Sequence, residues 1–504
     1  MVGTEGLGLA RDMADMRKPN LLFIFTDEQR ADTLGAYGND RIHMPNLDRL
    51  ASESFVFGSA YATQPVCTPS RSSIMTGLFP HSNGCTENNV PLPADIPCFP
   101  EMLSDPGYAA GYYGKWHLGD EIFAQHGFED WISVEDYYSE YYGDGRDRQA
   151  RSSYHHFLIS QGLEPLGGDK FSREEVVRFR EELSKPSFVA REAVRFIREN
   201  RNRPFVLFVN FLEPHMPFAS CRDNQYDPGE VTLPGNFSEL THEAQPLKTR
   251  VFREAYFETG HGGIALKTEE NWRRLIANYW GLCSLVDTHT GTILNALAEN
   301  DLYDNTIIVF TSDHGDMMGS HGLLAKCVMF EEAVRVPLLI HLPGQRKAER
   351  IGFPVSQIDL VPTLLDLMEQ TVPSHLQGES LKPLMAQSHT RDRPEAFVEW
   401  NGANTGFGDE LGKVHLPEPV SGRYDAGELE EAVTDPVRTI VNYEGWKLNC
   451  SPRGEHELYN LLSDPLETDN LARDGSMIGV ARRLRERLRA WQDKTGDRVE
   501  LPEI

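Results

Sequence analysis

The sequence predicts an α/β protein: a large, mostly parallel sheet flanked by helices, followed by a smaller C-terminal α+β part with a short antiparallel sheet. Three observations carry this. Apolar runs at residues 21–25, 205–211 and 306–311 are rich in Val, Ile and Phe. They are too short for core helices and lack polar alternation, as strands buried on both faces do. Each run ends in polar residues: Asp27-Glu28-Gln29-Arg30, Glu213-Pro214-His215 and Ser312-Asp313-His314-Gly315-Asp316. Near the C-terminus, residues 438–442 and 446–449 read as short strands of an antiparallel sheet. A helix follows, with Val480, Leu484, Leu488 and Trp491 on one face and Arg482, Arg483, Arg485, Arg487 and Arg489 mostly around the rest, a basic face that is solvated or pairs with the acidic body.

In chain order, residues 1–17 read as an N-terminal arm, 18–375 as the α/β body and 376–504 as the C-terminal subdomain. The chain has 504 residues, 40 % of them hydrophobic and 25 % charged, so a sizeable core can be buried. The formal charge of −27 argues against a nucleic-acid binder or adhesion to an anionic membrane. An anionic substrate would then need a local basic site. The seven cysteines include no CxxC pair, so neither a disulfide framework nor a zinc ribbon is expected. No apolar signal core or membrane-length apolar run is present as written, which points to a cytoplasmic protein without a membrane partner; a trimmed secretory signal is compatible with the same sequence.

In open α/β sheets, ligands bind beyond the carboxyl ends of the strands. Acids and histidines delivered there by three strands point to one shared site, the competing reading being acids that cap the next helix. Between the first two strands, Ser70 and the spacing of Ile74, Met75 and Leu78 predict a helix. Cys67 then sits at or just before its N-terminus, where free N–H groups favour anions, with Arg71 one turn in. A thiolate phosphatase is the first chemistry to weigh. Its loop closes the phosphate cradle with an arginine at the position of Ser73, whereas here Arg71 comes too early.

Cys67-Thr68-Pro69-Ser70-Arg71 resembles the C-x-P-S-R signature of the type I sulfatases, in the alkaline-phosphatase-like superfamily. Gly111-Tyr112-Tyr113-Gly114-Lys115-Trp116-His117-Leu118-Gly119 resembles the family's second signature. Pro214-His215-Met216-Pro217, Ser312-Asp313-His314-Gly315 with Lys326, and the C-terminal Glu457-Leu458-Tyr459-Asn460-Leu461 and Asp464-Pro465-Leu466-Glu467 also match, in the family's order.

The resemblance implies a mixed, mostly parallel sheet and a specific chemistry. Cys67 would be oxidised by a formylglycine-generating enzyme to formylglycine (3-oxoalanine), whose hydrate attacks sulfur. Pro69 and Arg71 would belong to the modification signal, and Arg71 would also buttress the diol. The implied metal ligands are Asp27, Glu28, Asp313, His314 and the modified Cys67. This oxygen-rich set suits Ca²⁺ first, then Mg²⁺ or Mn²⁺. Most relatives carry two adjacent Asp after the first strand; this chain has Asp27-Glu28, one methylene longer at the second position. Lys115, His117, His215 and Lys326 match the sulfate-binding and leaving-group residues. Lys115 would bridge diol and sulfate, His117 would take the proton that starts C–O cleavage, and His215 and Lys326 would hold the ester oxygen. These cations answer the charge question.

Outside the motifs, His81, His126, His289, His321 and Asp359 are expected to be structural. The tyrosine-rich stretch with Tyr137, Tyr138, Tyr141 and Tyr142 is read equally as substrate wall or loop packing. The expected function is a sulfuric ester hydrolase, aryl or carbohydrate sulfates favoured, with a phosphonate monoester, phosphodiester or choline sulfate hydrolase on the same machinery as the alternative. A catalytically silent binding protein is a third reading, which the retained Cys67, metal strands and basic residues oppose. The expected partners are a small anionic sulfate ester and the maturation enzyme, with a homo-oligomer compatible.

Overall fold

A computed structural model describes residues 18–238, 245–386, 394–402 and 416–504. The expected arm at residues 1–17 lies outside the described residues. The three apolar runs are strands β1 (Asn20–Asp27), β5 (Phe205–Pro214) and β6 (Thr306–Ser312), with β2 (Phe55–Tyr61), β3 (Ala109–Gly114) and β4 (Asp130–Ser133) between the first two. After β6 come β7 (Arg335–Val336), β8 (Leu338–His341) and β9 (Glu349–Ser356). Their order is β4-β3-β5-β1-β6-β8-β2-β7, with β9 beside β2. Strand β1 is flanked in parallel by β5 and β6, Leu22 facing Leu207 on one side and Ile308 on the other. The sheet is mixed because β8 runs antiparallel to β6 and β2.

The absence of polar alternation has a direct cause. Successive side chains of a strand point to opposite faces, and both faces of this sheet are covered. Leu22, Ile24, Leu207, Val209, Ile308 and Phe310 enter one apolar core. Leu21, Phe23, Phe25, Val206, Phe208, Ile307 and Val309 enter the other. The first is closed by helices Lys185–Glu199 and Glu269–Glu299. Helix α1 (Cys67–Thr76) sends Ile74 and Met75 into the second.

The C-terminal strands β10 (Glu395–Glu399), β11 (Arg438–Asn442), β12 (Trp446–Cys450) and β13 (Glu457–Asn460) form an antiparallel sheet in that order. Ile440, Leu448 and Leu458 pack on Leu484, Leu488 and Trp491 of helix Ile478–Thr495. One arginine departs from the expected solvated face: Arg485 is 5 % exposed. It donates to the carbonyls of Leu501 and Pro502 and pairs with Glu503, so it ties down the chain that follows the helix. Arg487 pairs with Glu395, as expected of a basic face against an acidic body.

Candidate active site

The ends of β1 and β6 are stitched together before any side chain acts. The Asp313 N–H donates to Thr26 O at 3.0 Å, Glu28 N–H to Asp313 Oδ1 at 3.1 Å, and Gln29 N–H to Ser312 Oγ at 2.9 Å. This register places Asp27, Asp313 and His314 side by side, each with no exposed surface. Gly315 follows because a Cβ there would lie 1.9 Å from the Glu332 carbonyl.

Helix α1 begins at Cys67, and the Thr68 N–H at its first turn donates to Asn88 Oδ1 at 3.0 Å. Cys67 is 1 % exposed; its Sγ lies 3.7 Å from Asp27 Oδ1, 3.4 Å from His314 Nε2 and 3.4 Å from Lys326 Nζ. Burial and Asp27 oppose ionisation of this thiol, but Lys115, Lys326 and the His314 hydrogen bond outweigh them and bring its pKa below the usual value. Arg71, one turn on, binds both strand ends, through Nε to Asp313 Oδ2 at 2.9 Å and Nη2 to Asp27 Oδ2 at 2.8 Å. Its Nη1 reaches Lys115 O at 2.7 Å and Asn210 Oδ1 at 3.1 Å.

The donor atoms of Asp27, Cys67, Asp313 and His314 all lie within 4.8 Å of one another. Two carboxylates, an imidazole and position 67 fit a divalent cation. His314 Nδ1 bonds the Gly315 carbonyl at 2.9 Å, so in the neutral ring Nε2 turns its lone pair on the cluster. Burial works against charge on that ring, yet Asp313 lifts its pKa to about 9: the cluster favours positive charge at this point. Glu28 sits in an adjoining group with Asp27 and His215, its backbone in the left-handed region at φ 69°. Its buried carboxylate has no hydrogen-bond partner and lies 3.1 Å from Lys326 Nζ and 3.5 Å from His215 Nε2.

The cations come from three other segments. Lys115 follows Gly114, where a Cβ would lie 1.9 Å from Asn210 O at φ 121°. Its Nζ meets Asp27 Oδ2 at 2.6 Å. Burial resists the charge on Lys115, and Asp27 reverses this and raises the ammonium above its usual range. Asp27 in turn is held well below the carboxylate range: burial alone would raise it, and Lys115, His215, Arg71 and Lys326 overcome that.

His117 has φ 59°, and its Nε2 meets Asn89 Oδ1 at 2.8 Å. Because an amide oxygen only accepts, Nε2 carries the proton in the neutral ring. Nδ1, buried and without a hydrogen-bond partner, is then the free base. Burial, then Lys115 and Arg71, push the His117 pKa well below the ordinary histidine value. Burial, then Lys326, does the same to His215, whose Nδ1 lies 2.7 Å from Met216 O. Thus Asp27, Cys67, Arg71, Lys115, Asp313, His314 and Lys326 are linked by direct contacts, with His215 and Glu28 adjoining and His117 two residues from Lys115.

Several residues escaped the sequence reading. Tyr138 stacks on the His117 ring at 4.1 Å between centroids, and Arg173 donates to its hydroxyl at 3.0 Å. Glu121 accepts the N–H groups of Trp116 and His117. Gln357 accepts from Ser70 Oγ at 2.8 Å and donates to the carbonyls of Ser312 and Asp313, locking helix α1 to β6. The tyrosine run was the signal for Tyr138; Asn89 and Gln357 left none. The histidines outside the motifs have other partners: His81 pairs with Glu399 at 2.6 Å, His126 with Glu101 at 3.2 Å and His289 with Glu181 at 3.6 Å, while His321 stacks on Phe330. Asp359 accepts the N–H groups of Ser356 and Glu379, a structural role as expected.

The family model described as Sulfatase matches residues 19–370. The uncharacterized sulfatase YidJ of Escherichia coli is 27 % identical over 496 residues, covering 96 % of this chain and 88 % of that one. The N-acetylglucosamine-6-O-sulfatase of Bacteroides thetaiotaomicron is 28 % identical over 401 residues, 74 % of this chain and 71 % of that one. Among solved structures, the phosphonate monoester hydrolase SpPMH from Silicibacter pomeroyi superimposes with a TM-score of 0.76 at 22 % identity, covering 95 % of this chain and 96 % of that one, which bears out the fold. With the signature cysteine between the two acidic strand ends and the family model spanning the whole α/β body, the chain belongs to the sulfatase family.

Proposed function

We propose that the protein hydrolyses sulfate monoesters of sugars or phenols, with Cys67 in its formylglycine form and one divalent cation, Ca²⁺ before Mg²⁺ or Mn²⁺, held by Asp27, Asp313, His314 and position 67. The observation that carries this is Cys67 at a helix N-terminus between two buried carboxylates and 3.4 Å from Lys326. Position 67 in its oxidised form would supply the attacking hydroxyl, and a cation held by Asp27, Asp313, His314 and position 67 would supply Lewis-acid polarisation of a sulfate oxygen. Arg71 orients the carboxylates. Lys115 and Lys326, both kept charged, bind the sulfate oxygens and offset the acidic body. Lys326 and His215 hold the ester oxygen. His117, neutral at pH 7, accepts a proton at Nδ1 as the sulfate leaves. Glu28 adjoins the cation site and balances Lys326.

The carbohydrate arm draws on the N-acetylglucosamine-6-O-sulfatase relative, and the Lys115-Trp116-His117 run favours sulfate over phosphonate. Among the described residues no helix is long and apolar enough to cross a membrane. The test is a side-by-side rate comparison of matured enzyme on an aryl sulfate, sulfated sugars, choline sulfate and a phosphonate monoester. Faster turnover of an aryl or sugar sulfate is expected. Turnover confined to the phosphonate would replace the sulfatase reading with the phosphonate one.

A further inference from the structure

We infer that Glu121 is a positioning residue that fixes the turn carrying Lys115 and His117, an inference that rests on the sulfatase reading for what those two residues do. After β3 the chain reverses sharply: Gly114, His117, Gly119 and Asp120 all have positive φ. Such a turn turns successive N–H groups inward, away from any strand partner. Here two of them converge on one carboxylate, Trp116 N–H on Glu121 Oε1 at 2.8 Å and His117 N–H on Oε2 at 2.6 Å. Glu121 is 1 % exposed, so water does not compete for these donors.

The opposite edge of the turn is also held. Lys115 O accepts from Arg71 Nη1 at 2.7 Å and Tyr112 Oη at 2.5 Å, and His117 O accepts from Thr68 Oγ1 at 2.7 Å. These bonds tie the carbonyl edge to helix α1 and to β3. Among the described residues, Glu121 is the acceptor of the Trp116 and His117 N–H groups on the other edge, in the segment that carries the proposed base. With one edge released, the turn can pivot about the other, and His117 Nδ1 moves.

A carboxylate accepts at both oxygens; a carboxylic acid or a carboxamide accepts well at one. The ionised form is the one that fits two donors. Burial raises the Glu121 pKa to about 7, against the two N–H bonds that lower it, with Glu135 raising and Lys115 lowering it further. The phenols of Tyr112, Tyr138 and Tyr142 also face it. Protonation near pH 7 therefore loosens the turn.

Hydrogen exchange read by mass spectrometry on the peptide spanning residues 112–119 tests this without substrate. In Glu121→Gln, the Trp116 and His117 amides should exchange about tenfold faster or more, with the rest of the chain unchanged. In matured enzyme kcat should fall about 10- to 100-fold. Should the variant fail to fold, the wild type carries the test: protection of these amides, corrected for intrinsic exchange, should rise from about pH 6 to about pH 8. Unchanged protection in the variant, or pH-independent protection in the wild type, would overturn the inference. Intact protection changes in an enzyme that turns over no sulfate ester would count against the sulfatase reading and leave the role of Glu121 standing.

Discussion

Arg71 Nε donates to Asp313 Oδ2 at 2.9 Å, and neither side chain is more than 1 % exposed. The same guanidinium binds Asp27, so one buried cation spans the carboxyl ends of two adjacent strands. Removing one partner of a buried pair strands the other charge, which costs about 3–5 kcal/mol. Arg71→Ala should lose that much stability in urea unfolding; a loss under about 1 kcal/mol, typical of a surface pair, would contradict the assignment.

Asp313 contributes to the candidate cation site and to the stitching of Glu28. Asp313→Asn keeps the side-chain volume and the hydrogen-bonding oxygen but removes the charge. Metal content by elemental analysis after dialysis should drop together with activity. A variant that retains stoichiometric metal would remove Asp313 from the ligand set.

Tyr138 fixes the His117 ring plane by stacking, an interaction worth about 0.5–1.5 kcal/mol beyond burial. Tyr138→Ala should lower kcat about tenfold, whereas Tyr138→Phe, which keeps the stack and loses only the bond from Arg173, should stay near the wild type. Equal losses in the two variants would assign the effect to the hydroxyl instead.

The raised pKa of Glu121 has a consequence for stability. Its folded value of about 7 lies above the ordinary 4.5, so the native state binds a proton more tightly than the unfolded chain. The stabilisation is fully present below pH 4.5 and is lost as pH rises through about 7. The lost increment is on the order of 3 kcal/mol, since each tenfold gain in proton affinity on folding is worth about 1.4 kcal/mol. Glu121→Gln should flatten the fall in unfolding free energy across this window; an unchanged slope would contradict the account.

The strands and the motif residues were legible because their cause is local or repeated. The runs at 21–25, 205–211 and 306–311 are apolar throughout because both faces of the sheet are covered, and the residues after them mark the binding edge. Cys67, Arg71, Lys115 and Asp313 sat inside contiguous motifs, and Lys326 eleven residues after one. Tyr138 was signalled by the tyrosine run but its stack on His117 was not; Asn89 and Gln357 were not legible, since each reaches the site through tertiary placement: Gln357 meets Ser70 across 287 residues of chain. Arg485 was misread for the same reason. Helical spacing put it on the polar face, and the returning residues 501–503 cover it.

Under the proposed function, burial would also constrain maturation. Cys67 is 1 % exposed within a closed cluster, so a modifying enzyme would have to reach it before the site closes. Folded protein made without that enzyme should resist later conversion at Cys67, and convert after unfolding. Efficient conversion of the folded form would show that the cluster opens.

Under the proposed function, the oxidised side chain at position 67 performs the reaction. Mass spectrometry of the peptide containing Cys67, taken across preparations matured to different extents, tests it against turnover of a sulfate ester. Loss of the thiol sulfur with gain of an aldehyde or its hydrate is expected, and activity should rise in proportion to the converted fraction and vanish in Cys67→Ala. Full activity from a preparation whose Cys67 is unmodified would contradict the account.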